Sequence, residues 1–311
     1  MTRAWIFPGQ GAQFVGMAAD LAERFAGVRD TLAEADEALG FNLSSLMAEG
    51  PIEKLTLTTH TQPAVLAHSV AVLRLLRSAG VDEPVAVAGH SLGEYSALVC
   101  AGSLSFGDAL RVVQQRGRFM QEAVPAGLGT MAAVIGLESQ RVSEICEQLS
   151  NDEALVCAAN FNDPVQTVIA GHTAAVEAAI PVLKEAGARR VLLLPVSAPF
   201  HCALMSPVQK RLDAELQAVK ISDPEFPVIG NVDALAHSQG THIRHRLVEQ
   251  VCAPVRWVDC IRALRDAGAT ELLELGPGRA LAGMVRRIDK ALPTISLGDA
   301  DQLTAFLESS S

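Results

Sequence analysis

Pro84-Val85-Ala86-Val87-Ala88-Gly89-His90-Ser91-Leu92-Gly93-Glu94 decides the fold. Residues 85–88 are apolar throughout and bounded by Pro84 and Gly89. Four such residues are too few for a helix and read as a strand buried on both faces. Helical patterning follows from Leu92 to Ala101. Between the two, residues 89–93 satisfy G-x-S-x-G in the strand–turn–helix context that this motif requires. Flanking glycines permit a sharp turn that leaves the Ser91 hydroxyl at the C-terminal end of the strand. The helix N-terminus behind it offers free N–H groups and partial positive charge to an oxyanion.

Outward from this elbow the same cadence continues. A short strand, Ala4 to Phe7, precedes a Gly-rich turn, and the spacing predicts helices over about 17–39 and 62–80. The rhythm changes over 127–195, where strands at 130–135, 154–159, 166–170 and 190–194 alternate with helices at 138–149 and 173–186. That order, βαββαβ, is the ferredoxin-like arrangement, flanked by Pro125-Ala126-Gly127 and Pro195 as suits an insertion. Afterwards helices 203–218, 242–250, 257–267 and 279–288 surround strands 227–231 and 271–275. The expected architecture is α/β: a core with a parallel sheet, residues 1–126 and 196–311, interrupted by a small α+β subdomain, residues 127–195.

Composition narrows the function. The chain has 311 residues, 49% of them hydrophobic, with 35 acidic against 25 basic residues and a net charge of −10. A globular protein of this balance lacks the basic excess of a general nucleic-acid binder. No apolar run approaches the ~20 residues that span a bilayer. Six cysteines without a CxxC pair read as reduced, buried thiols, and the expected location is the cytoplasm.

Serine needs a base, and eight histidines compete for that role. His201 stands out because its loop, 195–202, follows a predicted strand, whose C-terminal edge faces the Ser91 side of the sheet. His90 adjoins Ser91 in sequence, but neighbouring side chains on a tight turn diverge. His242 and His245, with Glu249 nearby, read as a solvated helix face, so no metal is expected. The loop Phe7 to Gln13, FPGQGAQ, fails as a Rossmann fingerprint at Phe14 and as a P-loop for want of Gly-Lys-Ser/Thr. It suits a second oxyanion donor, with Gln10 the natural candidate.

Together these segments resemble the malonyl-CoA:acyl-carrier-protein transacylases of type II fatty acid synthesis. The resemblance rests on FPGQGAQ at 7–13, TQPA at 61–64, GHSLGEYSALVCAG at 89–102 and QRGRFMQEAVP at 115–125. It continues through NFN at 160–162, VIAGH at 168–172, APFHCALM at 198–205 and GPG at 276–278. It implies a hydrolase-like core, Ser91 as the acylated nucleophile and His201 as general base. It further implies Gln10 and Leu92 as backbone oxyanion donors, and Gln250 as the residue whose carbonyl orients the histidine. Arg116 is implied as the clamp on the malonyl carboxylate, a role suited to a planar guanidinium. Phe200, where the family often has a smaller residue, is expected to disfavour C2-branched acyl groups.

The implied reaction carries malonyl from malonyl-CoA to the phosphopantetheine thiol of a transiently bound acyl carrier protein, with no permanently bound cofactor. No nucleic-acid or membrane partner is expected, and the chain is expected to be a monomer. Carrier docking is expected on a local basic patch drawn from Lys184, Arg189, Arg190, Lys210, Arg211, Arg279, Arg286 and Arg287. The alternatives are an acyltransferase that loads a polyketide synthase, and a serine thioesterase or hydrolase.

Overall fold

A computed structural model describes residues 2–125, 127–151, 153–196 and 198–310. Residue 126, at the expected boundary, and residue 197, in the loop before His201, lie outside the described residues.

Among the described residues, ten strands build two sheets. The larger contains β1 (Arg3–Phe7), β2 (Val87–Gly89), β7 (Val228–Ile229), β8 (Ala236–His237), β9 (Glu271–Leu275) and β10 (Thr294–Leu297), in the order β10-β9-β1-β2-β7-β8. All neighbours are parallel except β7 and β8. The central strands are short and apolar because both faces are covered: Ala4, Trp5, Ile6 and Phe7 have no exposed surface. One face packs on the helices Thr58–Ser78 and Phe106–Glu122. Trp257, Ile261 and Leu264 of the helix Trp257–Asp266 cover the other, with Leu281 and Val285 of Ala280–Ile288.

The smaller sheet contains β3 (Gly129–Ile135), β4 (Val156–Asp163), β5 (Gln166–His172) and β6 (Arg190–Leu193), ordered β4-β5-β3-β6 and antiparallel throughout. Helices Ser139–Leu149 and Thr173–Glu185 lie on it around a core of their own, including Val134, Ile145, Val176 and Leu183. The core around the larger sheet meets the smaller sheet at β4. Val255 bridges it in the main chain, accepting from Phe161 and donating to Ala159, both at 2.9 Å. The buried Asp163 carboxylate takes the Arg287 guanidinium at 2.5 Å. His90 Nε2 meets Asn162 Oδ1 at 2.8 Å.

Several expectations shift. The helix expected over 17–39 is two, Ala19–Arg24 and Ala26–Leu39, because Phe25 is extended. Helices Leu43–Glu49, Ile52–Leu55 and Ala300–Ser310, with strands β8 and β10, add to the elements expected from the sequence pattern. The second long helix begins at Thr58 and carries Pro63 in its second turn, where the ring removes the N–H that would otherwise donate to the Thr59 carbonyl.

Candidate active site

Ser91 sits between β2 and the helix Gly93–Cys100 with φ of 52°. That strained turn exists because its neighbours lack side chains. A Cβ on Gly89 would lie 1.8 Å from the Gly93 carbonyl carbon, and one on Gly93 would lie 2.1 Å from the Phe7 carbonyl oxygen. Gly9 is equally confined, since a Cβ there would lie 2.4 Å from the His90 carbonyl oxygen. The FPGQGAQ loop therefore packs directly on the elbow. Among the described residues, the N–H groups of Gln10 and Leu92 have no hydrogen-bond acceptor, and both residues line the cleft that contains Ser91.

The Ser91 hydroxyl lies 2.7 Å from His201 Nε2. On the far side of the ring, Nδ1 donates to the Gln250 carbonyl at 2.9 Å. That bond assigns the tautomer: Nδ1 carries the proton and Nε2 is free to accept the serine's. Burial first, then the Arg116 charge, push the His201 pKa down to about 3, against the opposing pull of the Gln250 carbonyl. The imidazole is therefore neutral at pH 7. His90 points away, to Asn162 and edge-on to Trp257.

Arg116 arrives from the helix Phe106–Glu122, whose N-terminus is capped by Ser105 accepting from the Asp108 N–H at 3.1 Å. Its buried stripe runs Phe106, Ala109, Leu110, Val113, Arg116, Gly117 and Met120, so the arginine occupies a core position and is 1% exposed. Gly117 lets the helix Thr58–Ser78 approach closely, since a Cβ there would lie 2.5 Å from the Thr58 carbonyl oxygen. That approach brings Gln62, whose Oε1 accepts from Arg116 Nη1 at 2.9 Å. Nη2 donates to Gln250 Oε1 at 2.8 Å and reaches Ser91 Oγ at 3.3 Å. The guanidinium also stands over the Tyr95 ring at 5.5 Å. Among the described residues no carboxylate touches it and Nε has no partner.

The cleft, about 530 Å³, runs between the sheets. Met131, Ala133 and Val168 of the small sheet form one wall, and Phe200, 7% exposed, packs beside His201. The seven residues read from the sequence thus come to one place: Gln10, Ser91, Leu92, Arg116, Phe200 and His201 line the cleft, and Gln250 supports it from beneath. Sequence reasoning missed three supporting side chains. Asn231 Oδ1 accepts from the Ser91 N–H at 2.7 Å, while its Nδ2 donates to the Gly89 carbonyl at 2.7 Å. Gln62 holds Arg116, and Glu94 holds Gln250. Gln62 and Glu94 are polar residues in helical stretches that are otherwise buried, the one signal that marked them, whereas Asn231 lies in the turn after β7 and carries no such signal.

Other candidates fall elsewhere. His242 and His245 are exposed, and no group of three potential metal ligands occurs among the described residues. Of the nominated docking cations, Arg287 is committed to Asp163 and Gln166, and Arg211 pairs with Glu122 and stacks on Phe119. Both brace the fold, yet their side chains remain 48% and 43% exposed, so part of each guanidinium stays at the surface. Lys184, Arg189 and Arg190 are exposed at the edge of the small sheet. No helix among the described residues is long and apolar enough to cross a membrane.

A hydroxyl at a strand–helix elbow, a neutral imidazole against it and two unengaged N–H groups beside it are the equipment of an enzyme that forms an acyl-serine. The family whose model is described as acyl transferase domain matches residues 4–292, and the chain belongs to that family. A malonyl CoA-acyl carrier protein transacylase of Escherichia coli K12 is 47% identical over 305 residues, covering 98% of each chain. The protein of that name from Bacillus subtilis 168 is 44% identical, over 98% of this chain and 96% of its own. Among solved structures, an acyl carrier protein S-malonyltransferase from Vibrio cholerae superposes with a TM-score of 0.95 at 47% identity, over 98% of this chain and all of its own. A malonyl-transacylase in complex with its type II PKS acyl-carrier protein gives 0.97 at 45% identity, over 99% of this chain and 100% of its own.

Proposed function

We propose that this enzyme transfers the malonyl group of malonyl-CoA to the phosphopantetheine thiol of an acyl carrier protein in fatty acid biosynthesis, by way of a malonyl ester on Ser91. The observation that carries the reading is the buried Arg116 guanidinium, 3.3 Å from the Ser91 hydroxyl and without a carboxylate partner. A buried cation lacking an anion is costly, and the free carboxylate of malonyl supplies one beside the nucleophile. The relatives carrying this activity in their names add to it.

In the first half-reaction His201 Nε2 takes the Ser91 proton as Oγ attacks the thioester carbonyl. The oxyanion collects the N–H groups of Gln10 and Leu92, and His201 returns the proton to the departing CoA sulfur. In the second, the carrier thiol gives its proton to His201 and attacks the ester, and Ser91 Oγ recovers the proton as it leaves. Nδ1–H donates to the Gln250 carbonyl throughout, a neutral acceptor in the place a hydrolase fills with an acid. A malonyl carboxylate on Arg116 also offsets the positive charge that depresses His201, so the correct substrate strengthens the base that acts on it. The reading needs no resident cofactor: CoA arrives on the donor and phosphopantetheine on the carrier.

The fold reading that goes with it is a hydrolase-like core, residues 1–126 and 196–311, carrying a ferredoxin-like insertion over 127–195. The strand order β4-β5-β3-β6 and the separate apolar core support the insertion. The parallel strands around the elbow support the core. The reaction belongs in the cytoplasm, with its carrier. A second reading, loading of a polyketide carrier, is favoured by one observation: the structural neighbour bound to a type II PKS carrier protein. Labelled malonyl-CoA, incubated with the enzyme and then offered holo-carrier proteins of both kinds, tests both. Label moving to the fatty-acid carrier supports the first reading, movement only to the polyketide carrier supports the second, and release as free malonate contradicts both.

A further inference from the structure

One buried ionisable group beside the nucleophile takes no part in the proton transfers. Glu94, in the first turn of the helix Gly93–Cys100, is 3% exposed and lies one turn beyond the nucleophile. Its Oε2 accepts from the Asn231 main-chain N–H at 3.0 Å and from Gln250 Nε2 at 2.8 Å. Among the described residues no cation touches it; the Arg116 charge, beyond the Gln250 amide, favours its ionised form and the Asp233 charge opposes it. Gln250 lies between the two with its dipole aligned, Oε1 toward the guanidinium and Nε2 toward the carboxylate. The same Nε2 reaches the Ser91 carbonyl at 3.1 Å, and the Gln250 main-chain carbonyl takes His201 Nδ1.

We infer that Glu94 is a positioning residue for this centre: by fixing the Gln250 side-chain amide, it sets the direction of Arg116 and so the preference for a carboxylated acyl group. An amide has two orientations about its last torsion, and they present opposite atoms to Arg116. With an acceptor at position 94, Nε2 turns inward and Oε1 meets the guanidinium. Without that acceptor, the reverse orientation becomes accessible and sets an N–H donor against a cation. Asn231 and Ser91 supply weaker holds on Nε2, at 3.4 and 3.1 Å, and neither is charged. Burial pushes the Glu94 pKa up to about 7, with Asn231, Gln250 and Arg116 opposing. An oxygen acceptor is present there in both protonation states, so its positioning function does not depend on ionisation.

The inference rests on the malonyl-transfer reading, and its test separates the two. Acylation of Ser91 by malonyl-CoA and by acetyl-CoA is measured for the wild type, Glu94→Met and Glu94→Gln, with melting temperatures. Wild-type protein that forms no malonyl-Ser91 contradicts the functional reading itself. Given that adduct, Glu94→Met is expected to lower the malonyl-to-acetyl ratio by about ten- to a hundredfold, the range of one charge-assisted hydrogen bond. Glu94→Gln keeps an oxygen at the same place and is expected to hold the ratio within about fivefold of wild type. A role in folding alone lowers both rates together. An unchanged ratio in Glu94→Met, or failure of Glu94→Gln to restore it, overturns the inference. If Glu94→Met does not fold, Glu94→Asp replaces it, because it withdraws the oxygen from Gln250 while keeping the charge. A lowered ratio then supports the inference and an unchanged one overturns it.

Discussion

Replacing Arg116 with alanine isolates the part of the site that reads the substrate. The guanidinium is 1% exposed, and three of its contacts are to Gln62, Gln250 and Ser91. A substrate carboxylate that takes two charge-assisted N–H bonds there gains about 1.5–3 kcal/mol from each. Together they amount to about 3–6 kcal/mol, or roughly two to four powers of ten in kcat/KM. Acetyl has no carboxylate and forfeits none of this. The lost cation also relieves its depression of the His201 pKa, which favours the base with either substrate. A separate cost falls on stability. The side-chain oxygens of Gln62 and Gln250 lose a donor in a buried place, at about 1–3 kcal/mol each. The assay is the rate of acyl-enzyme formation from malonyl-CoA and from acetyl-CoA, far below the melting temperature of the variant. A selective loss for malonyl is expected; equal losses for the two thioesters would refute the clamp and leave Arg116 a structural residue.

Three further outcomes follow from the same geometry. Because His201 must be neutral to accept a proton and burial holds its pKa down to about 3, wild-type kcat/KM for malonylation should show no acid limb near the ordinary histidine value of about 6.5. The limb should move upward in Arg116→Ala, and a wild-type limb at the ordinary value contradicts the account. Phe200→Ala should raise the ratio of methylmalonyl to malonyl acylation, at a stability cost of about 3–5 kcal/mol for the ring; an unchanged ratio makes the ring packing alone. Arg190→Glu, on the exposed edge strand, should raise the KM for carrier protein in a salt-sensitive way, whereas Arg287→Glu, which breaks the pair with buried Asp163, should lower the melting temperature. An Arg190 variant with unaltered carrier kinetics removes that edge from the docking surface.

What was legible in the sequence was local. The elbow announces itself because strand, turn and helix lie within a dozen residues, and Gly89 is required by a contact with Gly93 inside the same motif, although Gly93 itself is required by the distant Phe7 carbonyl. The βαββαβ order was legible because each of its elements has its own periodicity. The break at Phe25 was not, since the adjacent Gly27 falls inside the following helix rather than at the break and the apolar spacing runs across it. Strand β10 is short and gains its place only by pairing with β9, a tertiary fact. In the site, Ser91 follows from its motif and His201 from its loop, while Arg116 and Gln250 entered through family resemblance. Their spacing alone could not assign them, because Arg116 meets Gln250 across 134 residues and Gln62 across 54. Glu94 and Asn231 went unassigned for the same reason: their function lies in a contact 137 residues apart. For Glu94 the signal that remained was a charged group in a helix that is otherwise buried; Asn231, in a turn, carried none.

The central claim is a malonyl ester on the Ser91 oxygen. Wild-type enzyme and Ser91→Ala are each mixed with malonyl-CoA, quenched in acid, digested and mapped by mass spectrometry. The account predicts one malonyl adduct, on the peptide containing Gly89-His90-Ser91-Leu92-Gly93, discharged by holo-carrier protein and missing from the variant. A malonyl adduct of the same stoichiometry on Ser91→Ala, or one mapped to another residue and still passed to the carrier, contradicts it.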